Sequence, residues 1–184
     1  YDDARRVLAM GTDTGADTVS FEQLLPQISF PLDQGQWQQA MTEAERQARD
    51  APSASELNRW VAEGLLLGLR SYTPDDGFDA DVAAYLRAQA ALLPDGSRFD
   101  RRHLVFHVLA AGWMAARQGQ VELAHEALDV VDPYPELKGF PANADMARIL
   151  RAELALQAGD AGQALDVLAS RNATGEELYL AHAL

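Results

Sequence analysis

The residues of this 184-residue chain whose types could do chemistry are two histidines four apart and a scatter of carboxylates. His103 and His107 would share one face of a helix, a spacing that presents two imidazoles to a zinc ion if a third ligand comes near. No glutamate follows His103 in the HExxH manner, because Leu104, Val105 and Phe106 intervene. Two histidines at the edge of a packed helix are therefore the simpler reading. His125 beside Glu126, and His182, have no recognisable partners in sequence. Asp75, Asp79 and Asp81 resemble a calcium loop only loosely, since the spacing is wrong and the closing glutamate is missing. Carboxylates at such turns and helix starts ordinarily accept from free amides and oppose the helix dipole favourably. The chain has no glycine-rich phosphate loop, no GxSxG elbow and no convincing triad. With no cysteine it can hold no disulfide, thiolate metal site or cysteine nucleophile. The expectation is a noncatalytic protein with neither cofactor nor metal.

Composition narrows the partners. A hydrophobic content of 48% over this length can bury a core and suits one domain. The net charge of −13 would repel a phosphate backbone, so an extended nucleic-acid surface is not expected and a basic peptide is the better partner. The simpler alternative is that the acid only keeps an alanine-rich helical protein soluble. No run approaches the eighteen or so apolar residues of a membrane span. The first residue is Tyr1 rather than methionine, which reads as a processed form or an excised domain, with any signal peptide or anchor out of view. The cytoplasm is the expected compartment, or the periplasm if such a segment was removed.

What would position any binding residues is a helical hairpin at residues 107–133, HVLAAGWMAARQGQVELAHEALDVVDP. Apolar residues recur at three and four on both sides of Gly119: Val108, Leu109, Trp113 and Ala116 before it, Val121, Ala124, Leu128 and Val131 after it. Gly112 and Ala124 are small where two helices must cross, which lets the backbones approach. Gly119 stands where a helix end favours a left-handed residue, and Asp132-Pro133 closes the second helix.

Gly112, Gly119, Ala124, Leu128 and Asp132-Pro133 together resemble a tetratricopeptide repeat (TPR). Two positions depart from that pattern: Val121 stands where the family has an aromatic, and Val131 where it has alanine. The resemblance implies an all-α, right-handed superhelix (α-solenoid) of stacked hairpins, with a groove lined by the first helix of each. Mapped residue by residue, it puts Phe106, Trp113 and Arg117 of the third unit, and Met146, Glu153 and Gln157 of the fourth, at the groove. Leu69 and Tyr72 are weaker candidates. Trp113 reads equally well as core between helices, and Arg117 as a solvated helix end.

The spacing of turn glycines supports a repeat, because Gly35, Gly77, Gly119 and Gly159 lie about 40 residues apart, and equal intervals are uncommon in a single globular bundle. The expected organisation is one domain over 1–184, with units at 19–52, 55–94, 101–133 and 142–170 and a terminal helix at 174–184. In the first unit, Pro26 and Pro31 are expected to break any helix over 21–32. Trp37, Ala40, Met41 and Ala44 form the stripe of its second helix. Ser53 or Ser55 would cap the apolar helix over 57–72, and the turn at 74–77 leads to a partner over 80–93. Asn143 or Asp145 would cap a helix to residue 158, whose partner repeats the crossing pattern with Ala164, Leu165 and Leu168. Thr174 and Glu177 form a capping-box pattern. A short helical pattern at 1–10 ends at the GTDTG of 11–15.

The expected function is a noncatalytic protein or peptide interaction module, one domain of a larger bacterial signalling or regulatory protein. The alternative is a small-molecule or peptide sensor that controls an attached catalytic or DNA-binding part. An enzyme built on the Asp75–Asp81 loop or the two histidines ranks third.

Overall fold

The computed structural model describes residues 21–50 and 56–169, and every regular element among them is a helix. The expected features at 1–15, at Ser53 and Ser55, and at 174–184 lie outside the described residues. The helices are α1 (Phe21–Asp33), α2 (Trp37–Asp50), α3 (Glu56–Arg70), α4 (Phe78–Leu92), α5 (Arg98–Arg117), α6 (Val121–Val131), α7 (Glu136–Gly139), α8 (Pro141–Gln157) and α9 (Ala161–Ala169). The chain divides into two compact units, Tyr1–Asp75 and Asp76–Leu184, and the division runs through the interval 55–94 read from sequence as a single hairpin.

In the first unit α1, α2 and α3 pack on one another. Ile28, Ala40, Ala44 and Leu69 make its buried cluster, and Leu32, Trp37, Met41, Leu65 and Leu66 close over it. The expected break in α1 does not occur, since the helix runs through both Pro26 and Pro31. Each proline removes one backbone donor, but most helical stability in a protein comes from packing an apolar face, which Ile28 and Leu32 supply. Trp37 meets Tyr72 edge to face with ring centres 5.6 Å apart.

Three of the four turn glycines make the same corner. Gly35, Gly119 and Gly159 have φ of 69°, 76° and 78°, the left-handed region open to glycine. At each, the glycine N–H donates three residues back, to Leu32, Ala116 and Leu156, and the next N–H donates five residues back, to Pro31, Ala115 and Ala155. That pair of bonds satisfies carbonyls the helix end would otherwise leave open. The following helix starts two residues after the glycine, and the alanine five residues after it, Ala40, Ala124 or Ala164, is buried. Gly77 differs: with φ of −93° it is the residue before α4, and α3 ends instead through the turn bonds of Ser71, Tyr72 and Thr73. Asp75 takes Arg70 as its partner at 2.9 Å. A Cβ on Gly119 would touch nothing within 4 Å, so only backbone strain opposes it. Gly119→Ala is expected to cost about 1–2 kcal/mol, read as a lowered urea midpoint with an unchanged slope.

In the second unit α5 is central, packed against α4, α6 and α8, while α9 packs on α8. Leu104, Val105, Val108 and Leu109 of α5 are buried, as are Phe78, Val82 and Leu86 of α4 and Leu150 of α8. The capping box missed in the sequence opens α5: Ser97 Oγ accepts from the Asp100 amide at 3.1 Å, and the Asp100 carboxylate accepts from the Ser97 amide at 3.3 Å. Proline stands at the first position of α8, so Asn143 does not cap it. Asn143 is instead fully buried, its Nδ2 donating to the carbonyls of Arg102 at 3.1 Å and Glu136 at 3.0 Å. The connection after Pro133 holds the short α7, whose Glu136 and Leu137 are buried. On α9 only Ala164 is buried; Leu165 and Leu168, expected at the crossing, are exposed.

Candidate functional site

The six residues mapped to a groove fall into two stripes of equal spacing. Phe106, Trp113 and Arg117 lie on α5, and Met146, Glu153 and Gln157 lie on α8, each forty residues after its counterpart, the same interval that separates the corners at Gly119 and Gly159. Because α5 and α8 pack side by side, these are corresponding positions on neighbouring helices.

Their surroundings differ along the stripe. Met146 is 5% exposed, so it fills the core and does not line an open surface. Phe106 is half-buried, edge-on to His107 with centres 6.1 Å apart. Arg117 lays its guanidinium over the Trp113 ring, 5.0 Å from its centre, an arrangement in which the cation meets the negative face of the ring. The indole Nε1 is buried and finds no acceptor among the described residues. Gln157 is exposed and donates from Nε2 to Glu153 Oε1 at 3.1 Å. Of the six, Gln157 is exposed, Phe106, Trp113, Arg117 and Glu153 are half-buried, and Met146 is core. Leu69 and Tyr72 belong to the first unit, where Leu69 is core and Tyr72 is exposed.

The two histidines part ways. His107 is buried and shares a 2.8 Å hydrogen bond between Nδ1 and the Tyr85 hydroxyl. Burial, with a smaller push from His103, lowers its pKa to about 4. His103 is half-buried, edge-on to Phe99, and burial followed by the Arg102 charge lowers its pKa. Among the described residues no three His, Asp or Glu side chains come together in a way that could hold a metal. No helix there is long and apolar enough to cross a membrane.

A second site, absent from the sequence reading, lies at the opposite end of α5. A pocket of about 700 Å³ opens between the start of α5 and the α7 connection, lined by Arg98, Phe99, Arg101, Arg102, Glu136 and Phe140 among others. The Arg102 guanidinium lies over two rings, 4.9 Å from the centre of Phe99 and 4.5 Å from that of Phe140. Arg101 donates to Glu136 Oε1 at 3.3 Å and to the Gly96 carbonyl at 2.7 Å. Sequence carried one signal for it: RFDRR, three arginines in five residues of a chain with 28 acidic and 15 basic side chains.

Compared with known proteins, the chain matches no protein-family model, no curated protein and no solved structure.

Proposed function

We propose that the second unit is a TPR-like, right-handed stack of helix pairs that acts as a noncatalytic interaction module, binding a protein or peptide along the α5/α8 face. One observation carries this reading: α5 and α8 run side by side into identical glycine corners, so that Trp113 and Arg117 on one helix and Glu153 and Gln157 on the other repeat at the same interval. Stacked hairpins of this kind hide their apolar sides against their neighbours and leave the first helices as a continuous surface. An aromatic ring beside an arginine is the pairing of residue types enriched at interfaces and among their hot spots. The overall negative charge favours a partner of basic character.

The test is to pan a random twelve-residue peptide library on the intact chain, then measure the selected peptides against an Arg117→Ala, Gln157→Ala double variant. Affinity is expected to fall at least tenfold while the far-ultraviolet circular dichroism stays the same. Equal affinity for both proteins would move the binding surface elsewhere.

A further inference from the structure

We propose that the pocket at the start of α5 binds a small organic phosphate: a phosphate monoester seated against Arg98 and Arg102, carried on a molecule whose planar ring lies on Phe99. This site is at the far end of α5 from the Trp113–Arg117 face and stands independently of it.

Charge is the first argument. In a chain of net charge −13, three of the fifteen basic side chains line one pocket. The lining carries one carboxylate, Glu136, and Arg101 is already committed to it at 3.3 Å. Two guanidinium charges are left over. Arg98 is exposed and has no hydrogen-bond or ion-pair partner among the described residues. Arg102 has a terminal nitrogen 3.4 Å from His103 Nε2, and its own Nε is buried without an acceptor. The Arg98 fork can offer paired N–H donors to a phosphate oxygen pair, and the second positive charge of Arg102 beside it suits a dianion better than a single carboxylate.

Preorganisation is the second argument. The Phe99 and Phe140 rings both contact the Arg102 guanidinium, which restrains a long, flexible side chain before any ligand arrives. The backbone beneath it is fixed too, since buried Asn143 ties the Arg102 carbonyl to that of Glu136.

Size and surface supply the ring. A volume of about 700 Å³ far exceeds an inorganic phosphate and falls in the range of pockets for small organic molecules, about 300–1,000 Å³. Phe99 is 55% exposed despite its contacts with Arg102 and His103, so much of its surface stays open to solvent where it lines the pocket. An open ring beside a phosphate site is suited to stacking a planar group.

The probe is phenyl phosphate, titrated calorimetrically into the intact chain at low ionic strength, beside inorganic phosphate, phenol and a tripeptide with a central phosphotyrosine. Phenyl phosphate is expected to bind at least tenfold more tightly than either inorganic phosphate or phenol, and the tripeptide no more tightly than phenyl phosphate. Arg98→Glu, an exposed position that leaves folding intact, is expected to weaken phenyl phosphate at least tenfold. Phe99→Ala is expected to bring it down to the level of inorganic phosphate. Unchanged binding in Arg98→Glu, equal binding of phenyl phosphate and inorganic phosphate, or no binding of either would overturn the assignment. A tripeptide bound more tightly than phenyl phosphate would also overturn it, in favour of a phosphorylated protein partner.

Discussion

Gly112→Ala is expected to destabilise the second unit, although alanine is the better helix former by about 1 kcal/mol. A Cβ at position 112 would stand 2.5 Å from the Ala127 Cβ and 3.0 Å from Leu150 Cδ2. The leucine methyl can rotate away. The Ala127 methyl cannot, being bonded directly to its own backbone, so α5 and α6 must separate. Overpacking of this kind costs about 1–3 kcal/mol, and separating the helices loosens the contacts of Leu109, Leu123 and Ala124, all buried. The expected net result is a loss of up to about 2 kcal/mol for Gly112→Ala, seen as a lower urea midpoint. Gly112→Leu is expected to abolish cooperative unfolding of this unit altogether, whereas Gly68→Ala on α3 of the first unit, where a Cβ meets nothing within 4 Å, is expected not to lower stability.

Acid is expected to weaken the same unit through His107. An unfolded imidazole takes up its proton near the ordinary value of 6.5, whereas the folded one, buried against Tyr85 and repelled by His103, does so only at about 4. Above pH 6.5 both states are neutral and the full stability is present. As the pH falls from 6.5 toward 4 the unfolded chain binds a proton that the folded chain refuses, so stability drops, by roughly 3 kcal/mol at most. Below about 4 this loss levels off, because both states are then protonated. Urea midpoints measured across that window in wild type and in His107→Gln should diverge, with the steeper fall in wild type. Parallel curves would mean that the imidazole is not excluded from water as the burial requires.

How much of this was legible from the residues depends on how local the signal was. The corners at Gly35, Gly119 and Gly159 could be found because a left-handed helix end admits little except glycine, and a buried alanine follows each at the same distance. Gly77 fell into the series by spacing alone. What tells it apart is a backbone angle that neighbouring residues set, and glycine accepts either sign of φ. The close crossing was readable at Gly112, where the Ala124 carbonyl would stand 3.7 Å from an added Cβ, but the tightest contact is with the Ala127 methyl one turn further on. Small residues recur on one side of a helix, and only the crossing angle selects among them. Prolines at 26 and 31 misled in the opposite direction, because packing outweighed local propensity.

The pocket was the least legible feature. Arg98, Phe99, Arg101 and Arg102 are consecutive enough to be noticed as a charge cluster, but Glu136, Phe140 and the supporting Asn143 reach them across some forty residues of chain. The stripe that a repeat resemblance marks lies at the other end of the same helix. Met146 shows the limit of that mapping: its position corresponds to Phe106, but it is core.

The claim on which the rest depends is that the glycine corner folds α6 back so tightly on α5 that residues 112 and 127 leave room for a single methyl group. A double-mutant cycle measures this directly, using urea unfolding of wild type, Gly112→Ala, Ala127→Gly and the doubly exchanged chain. The exchanged chain is expected to be more stable than the sum of the single losses by at least about 1 kcal/mol, since it moves the methyl from one helix to the other without adding one. Strict additivity of the two single changes would contradict that crossing, and with it the placement of α5 from which both sites are read.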